Sequence, residues 1–356
     1  MTKLRVGILG ATGMVGQRFV TLLSHHPWFH ITSLAASPRS AGRAYHDAVG
    51  GRWAMPAPIP ANVHSLPVRA VEADLKAIAA DVDLVFCALD MDKEAIKQIE
   101  IDYAAAGVAV VSNNSAHRWT DDVPMLMPEV NLDHLKLIDT QRRRRGWSTG
   151  LIAVKPNCSI QSYVAILTAL AQYEPTQVSV TSLQAISGAG KTFDTWPEMV
   201  DNVIPLIGGE EDKSEREPLK IWGSLNNDQL KLATTPTISA TCIRVPVSDG
   251  HLANVSVNFK HKPTREQIIK AVQAYPGLDL PSAPKQFIRY LDEPDRPQTR
   301  LDRDAEHGMG ITMGRLREDT LFDYSFIALS HNTLRGAAGG AVLMAEALVD
   351  KGYIKT

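Results

Sequence analysis

The chain opens on the apolar run Leu4–Leu9, broken only by Arg5, and passes directly into helical spacing over residues 15–23. Apolar runs at 30–36, 82–89, 108–111 and 151–154 predict further buried strands, and residues 93–106 predict a helix between two of them. Near-continuous apolar strands alternating with helices indicate a parallel sheet covered on both faces, a doubly wound α/β arrangement. Residues 50–70 are rich in proline and glycine without periodicity and read as an irregular excursion. Residues 131–140 read as helix-like, ending in Arg142, Arg143, Arg144 and Arg145.

The pattern changes after residue 155. Residues 160–173 and 264–275 carry helical spacing, whereas 177–186, 238–247, 252–260 and 322–330 are rich in β-branched and alternating positions. Residues 333–348 predict a helix rich in small residues, with Gly336, Gly339 and Gly340 allowing close packing. The proline-rich, charged stretch 276–304 reads as a long surface connection. This half predicts a second, α+β domain, consistent with 356 residues making two domains.

Composition narrows the function classes. With 37 basic against 39 acidic side chains, nothing points to nucleic acid or an anionic membrane surface. Arg142 to Arg145, at a helix end, read as a solvated face favoured by the helix dipole. Three dispersed cysteines make no disulfide framework, and the eleven scattered histidines make no metal constellation, so no metal site is expected. No apolar run reaches membrane-spanning length, and a cytoplasmic location is expected.

Two stretches carry chemistry. Gly10-Ala11-Thr12-Gly13-Met14-Val15-Gly16 lies between the first strand and first helix, where glycines let the backbone approach a pyrophosphate resting on the helix N-terminus. The strand 30–36 should end near the adenosine ribose. Instead of the acidic residue that suits NAD, the chain offers Ser37, Arg39 and Ser40, with Arg43 behind, which suits the 2′-phosphate of NADP. Leu89 and Asn113, at the ends of later strands, should face the same crevice.

The second stretch is Pro156-Asn157-Cys158-Ser159, between a strand and a helix. Cysteine at a helix start is favoured as the thiolate, its nucleophilic form. Three other positions are candidates to complete a site around it. Gln184 precedes the glycine loop Ser187-Gly188-Ala189-Gly190, while Arg244 and His251 flank a turn. Histidine handles protons near neutral pH, and an arginine fork binds a carboxylate. Cys87 and Cys242 read as strand packing.

Almost end to end, these motifs resemble the aspartate-β-semialdehyde dehydrogenase family, in the branch typical of archaea and fungi. The resemblance runs through the glycine turn, Ser112-Asn113-Asn114-Ser115-Ala116-His117-Arg118, Val123 to Asn131, Pro156 to Ser159, Gln184 to Gly190, Gly208-Gly209-Glu210-Glu211-Asp212-Lys213, Arg244 to His251, and His331 to Gly340. It implies a nucleotide domain over 1–155, completed by the C-terminal helix 332–356, and a catalytic and oligomerisation domain over 156–331. It implies that Cys158 attacks an acyl phosphate to form a thioester, that His251 handles protons, and that Gln184 orients the acyl group. Arg244 would meet the substrate carboxylate, Glu210 its ammonium, Arg118 and Lys213 the phosphate, and Asn157 would line the substrate site. Ser187, Gly188 and Asn332 would lie against the cofactor, and a homodimer or homotetramer is implied. A paralogous malonyl-CoA reductase shares the cysteine and NADPH but has no use for Glu210, Lys213 and Arg244. A catalytically silent NADP sensor should have lost the nucleophile or the base.

Overall fold

In the computed structural model, residues 3–226 and 228–355 are described. The first sheet has the order β3-β2-β1-β4-β5-β6, built from Leu4–Leu9 (β1), Phe29–Ala36 (β2), Val68–Ala70 (β3), Leu84–Cys87 (β4), Ala109–Ser112 (β5) and Leu151–Val154 (β6). Every pairing is parallel. β1, β4, β5 and β6 are almost wholly buried because helices cover both faces. The order reverses between β1 and β4, and the crevice beyond the strand ends at such a reversal is where doubly wound folds take dinucleotides.

The second sheet has the order β10-β7-β11-β14-β13-β12, with Pro175–Gln184 (β7), Thr237–Arg244 (β10), His251–Phe259 (β11), Ile288–Leu291 (β12), Ile311–Glu318 (β13) and Tyr324–Ser330 (β14). Ser224–Asn226 (β8) and Gln229–Lys231 (β9) form a small separate hairpin. β7, β11 and β14 are antiparallel neighbours, and β11 alternates buried and half-buried positions along its whole length. Its inward face packs on the helix Gln161–Ala169, whose all-round burial places it between the two sheets.

Four expectations need correction. The stretch 276–304 is not a bare connection: it supplies β12, whose Ile288 is buried against Ile311 of β13, and the short helix Thr299–Asp302. β13 is also absent from the sequence reading, since Arg315, Arg317 and Glu318 interrupt its apolar pattern toward the exposed end. The last helix starts at Ala338 rather than 333, because Asn332 to Ala337 form consecutive turns. Within 50–70 lie the short helix Ala61–His64 and the whole of edge strand β3, too short for periodicity to reveal. The helix Ala338–Asp350 packs against Met14–Leu23 and β5, so the chain end returns to the first sheet. Among the described residues, no helix is long and apolar enough to cross a membrane.

Candidate active site

β6 carries the chain to the centre of the molecule. Lys155 continues its register by donating its N–H to the Ser112 carbonyl at 2.8 Å, and Pro156-Asn157 then turn the backbone. The Asn157 side chain fixes that turn, with Oδ1 accepting the Ser159 N–H at 2.7 Å while its carbonyl accepts from Gln161 Nε2 at 3.0 Å. Cys158 therefore stands just before the helix Gln161–Ala169, partly open, with its Cβ against Gly336. A Cβ at Gly336 would lie 2.7 Å from that of Cys158.

Parallel pairing of β7 with β10 sets Gln184 directly beside Arg244, and antiparallel β11 begins at His251 on the other side of β7. Cys158 Sγ lies 3.4 Å from His251 Nε2. His251 Nδ1 accepts the Ala185 N–H at 3.1 Å, so the neutral ring carries its proton on Nε2, facing sulfur. Burial, then Arg244 and His331, push the His251 pKa down to about 3. Burial, with Glu210 adding repulsion, pushes the Cys158 thiol up to about 11, against the pull of Arg118, Lys155 and Arg244.

Glu210 is the hub of the polar groups beside Cys158. It starts the helix Glu210–Ile221 and accepts from Asn157 Nδ2 at 3.0 Å on each oxygen, from Lys213 Nζ at 2.6 Å, and from Gln184 Nε2 at 3.5 Å. Arg244 donates from Nη1 to the Ala185 carbonyl at 2.6 Å, and backbone pairing with Ile204 anchors its strand end. Arg118 is buried and paired with Glu217 at 2.8 Å, and it also donates to the Lys155 carbonyl at 2.9 Å. The structure thus brings Cys158, His251, Gln184, Arg244, Glu210, Lys213, Asn157 and Arg118 into one connected region.

The dinucleotide side is separate but adjoining. Gly10 has φ +90°, and a Cβ there would stand 2.3 Å from the Ala88 carbonyl oxygen. At Gly16 a Cβ would stand 2.2 Å from the Gly10 carbonyl oxygen, so the turn tolerates no side chain at either position. Gly13 caps the helix Met14–Leu23 without a side-chain hydrogen bond, leaving its N-terminal N–H groups for an anion. A cleft of about 370 Å³ opens here, lined by Gly10, Thr12, Gly13, Ser37 and Leu89. Asn113 points a buried Nδ2 with no hydrogen-bond partner among the described residues. These features fit a dinucleotide.

Other cofactor candidates fall at different places. Arg39 is exposed on the turn after β2, and Ser40 is buried; neither lines the cleft. Asn332 donates to Ser187 Oγ at 2.9 Å and accepts the Gly250 N–H at 2.8 Å, tying the glycine loop to β14 and β11. Gly188 lies over the chemistry itself: a Cβ would meet Arg244 Nη1 at 2.9 Å and His251 Cε1 at 3.1 Å.

Sequence reasoning missed several groups. Glu217 carries no motif of its own, and only the pairing with Arg118 reveals it. Val71 and Glu72 reach the cleft through the overlooked β3. Lys155 had a readable signal, a charged residue ending an otherwise apolar strand. His117 is buried between Thr120 and the Lys97 carbonyl. Cys87 and Cys242 are buried in strands, as expected.

A fold of this kind, with a cysteine–histidine pair at the start of a buried helix beside a dinucleotide cleft, is that of a dinucleotide-dependent dehydrogenase. Family models agree: residues 5–138 match the semialdehyde dehydrogenase NAD binding domain and 167–335 the semialdehyde dehydrogenase dimerisation domain. An aspartate-semialdehyde dehydrogenase from Archaeoglobus fulgidus is 44% identical, covering 98% of this chain and 99% of its own. The solved Candida albicans aspartate semialdehyde dehydrogenase with NADP superposes with a TM-score of 0.88 at 38% identity, over 99% of this chain and all of its own. The Vibrio cholerae aspartate semialdehyde dehydrogenase II complexed with ASA gives 0.76 at 25% identity, with the same coverage. The chain belongs to the aspartate-semialdehyde dehydrogenase family.

Proposed function

We propose that this protein catalyses the NADPH-dependent reductive dephosphorylation of L-aspartyl-4-phosphate to L-aspartate 4-semialdehyde, through a thioester on Cys158. The observation that carries this reading is the arrangement around Glu210 and Arg244. Sulfur stands within one connected site with an anion and a cation suited to a free amino acid's ammonium and carboxylate. Near-full-length relatives bear the same activity in their names, and one was solved with NADP.

NADPH, when bound, supplies the hydride. Gly10, Thr12, Gly13, Met14 and Val15 would hold its pyrophosphate, with Ser37 toward the ribose phosphate and Leu89, Asn113 and Asn332 toward the reacting end, while the Ser187-Gly188 turn lies against Arg244 and His251. Cys158 sulfur attacks the acyl carbon, the phosphate departs with the bonding pair, and Arg118 and Lys213 receive its charge. Gln184 and Asn157 orient the acyl group. The oxyanion forms on acylation and again when the thioester is reduced, and its collapse releases the aldehyde and returns the thiolate. His251 serves each stage as an Nε2–H donor toward sulfur and oxygen, as its Ala185 hydrogen bond dictates.

The supporting division is residues 1–155 with 332–356 for the cofactor and 156–331 for chemistry and assembly into a homo-oligomer. Exposed Val200, Val203 and Leu206 on the second part support such assembly. The test is NADPH formation by the purified protein. Aspartate semialdehyde, NADP and phosphate together should give turnover, and omitting phosphate should abolish it. Turnover only with malonyl-CoA and NADPH would overturn the substrate assignment.

A further inference from the structure

Strand β5 runs out into two adjacent asparagines that are held very differently. Asn114 is tied inward, its Nδ2 donating to Cys87 Sγ at 3.2 Å and to Glu100 Oε1 at 3.5 Å. Asn113 is fixed only through its backbone: its N–H donates to the Cys87 carbonyl at 2.9 Å, and its carbonyl accepts from Arg118 Nη2 at 3.5 Å. Its side-chain Nδ2 is buried with no hydrogen-bond partner among the described residues. The residues that follow Cys87, Ala88 and Leu89, line the dinucleotide cleft, so this turn stands at its edge.

What holds the turn this way comes from beneath it. The helix Lys93–Ala105 buries Ile96, Ile99, Glu100, Tyr103 and Ala104, and Glu100 is fully buried among these otherwise uncharged residues. Its Oε1 accepts from Ser112 Oγ at 2.5 Å, and Ser112 Oγ accepts the Asn114 N–H at 3.0 Å. One carboxyl oxygen thus holds Asn114 by its side chain directly and by its backbone through Ser112. Among the described residues, the one basic group within ion-pair reach is His117, whose Nε2 stands 4.0 Å from Glu100 Oε2. That nitrogen gives its proton to the Lys97 carbonyl at 3.2 Å. Burial pushes the Glu100 carboxyl above its ordinary value and the His117 imidazole below its own, which favours the neutral form of both. A buried carboxyl with Oε2 unmatched is costly to keep, and packing alone gives no reason for it.

We propose that Glu100 is a positioning residue for the cofactor: by holding Asn114 inward, it leaves the Asn113 amide as the group presented to the nicotinamide end of NADP. The two asparagines are the same chemically, so residue type does not decide which of them faces the crevice. The acceptor under the turn decides it, because it satisfies Asn114 and leaves Asn113 Nδ2 for a ligand. A protonated carboxyl offers an acceptor and a donor, the same set as an amide, so glutamine can stand in for Glu100 where alanine cannot. This inference rests on NADP occupying the crevice beside Asn113, and not on the identity of the substrate.

The experiment is the dissociation constant of NADPH, read by fluorescence of the bound dihydronicotinamide. It is measured for wild type, Glu100→Ala, Glu100→Gln, Asn113→Ala and the Glu100→Ala/Asn113→Ala double variant. Glu100→Ala should weaken NADPH by about tenfold, the loss of one hydrogen bond at the cofactor, while Glu100→Gln stays within about twofold of wild type. The double variant should bind no more weakly than Asn113→Ala alone, because Glu100 acts through Asn113. All five should bind 2′,5′-ADP alike, since it carries no nicotinamide. An unchanged NADPH constant in Glu100→Ala, losses that add in the double variant, or an equal weakening of 2′,5′-ADP would each overturn the proposal. If Glu100→Ala does not fold, Ser112→Ala cuts the same link and is carried through the same cycle with the same expectations. A wild type that binds NADPH without dehydrogenase activity, with the cycle as expected, would remove the proposed reaction and leave this role standing. A wild type that does not bind NADPH would overturn both.

Discussion

Glu217 holds the guanidinium of Arg118 at 2.8 Å in a buried pair that joins residues 99 positions apart in sequence. Its other oxygen accepts the Asn157 N–H at 2.6 Å, one residue before Cys158. One carboxylate thus sets both the Arg118 guanidinium and the turn carrying sulfur. Removing one member of a buried pair leaves an uncompensated charge, so Glu217→Gln should lower unfolding free energy by about 3–5 kcal/mol. Urea denaturation checks this, and a loss below about 1 kcal/mol would mean that the pair is replaced by solvent.

Glu210 repels the thiolate while it gathers the substrate side. Glu210→Gln should therefore raise KM for aspartate semialdehyde and, in the free enzyme, lower the alkylation midpoint of Cys158. Opposite movement of the two readouts is the signature. A midpoint that rises would show that Glu210 acts through structure rather than charge.

Gly188→Ala separates substrate geometry from cofactor binding. A methyl there stands 2.9 Å from Arg244 Nη1 and 3.1 Å from His251 Cε1, so both side chains must shift. Displacements of this size should lower kcat/KM by about 10–100-fold. NADP affinity, followed by fluorescence titration, should hold. If affinity for NADP collapses instead, the loop belongs to the cofactor site as the sequence reading had it.

Acid should weaken the fold through its buried histidines. His251 is lowered to about 3 and His331 to about 4, both chiefly by burial, whereas each titrates near 6.5 when unfolded. Below 6.5 the unfolded chain takes up protons that the folded chain refuses, so their stability contribution is present above 6.5 and lost as pH falls toward 4 and then 3. Denaturation midpoints should decline across that window. His331→Asn should flatten the part between 6.5 and 4, and an unchanged slope would contradict the assignment.

The first sheet was legible because its strands are buried on both faces, which writes unbroken apolar runs such as 151–154 into the sequence. β3 and β12 were not, because three- and four-residue edge strands are too short to show a period. The site motifs were visible individually, but their meeting depends on register. Gln184 and Arg244 are joined by the pairing of β7 with β10, which no local pattern specifies. Glu217 defines its role only through Arg118, distant in sequence, so it had to wait for the fold.

The most direct measurement of the central claim is rapid quenching of the enzyme with L-aspartyl-4-phosphate in the absence of NADPH, followed by peptide mass spectrometry. An aspartyl adduct on the Cys158 peptide, absent in Cys158→Ser and discharged to the semialdehyde when NADPH is added, is the predicted result. Normal turnover with no adduct on Cys158, or turnover surviving in Cys158→Ala, would contradict the thioester mechanism.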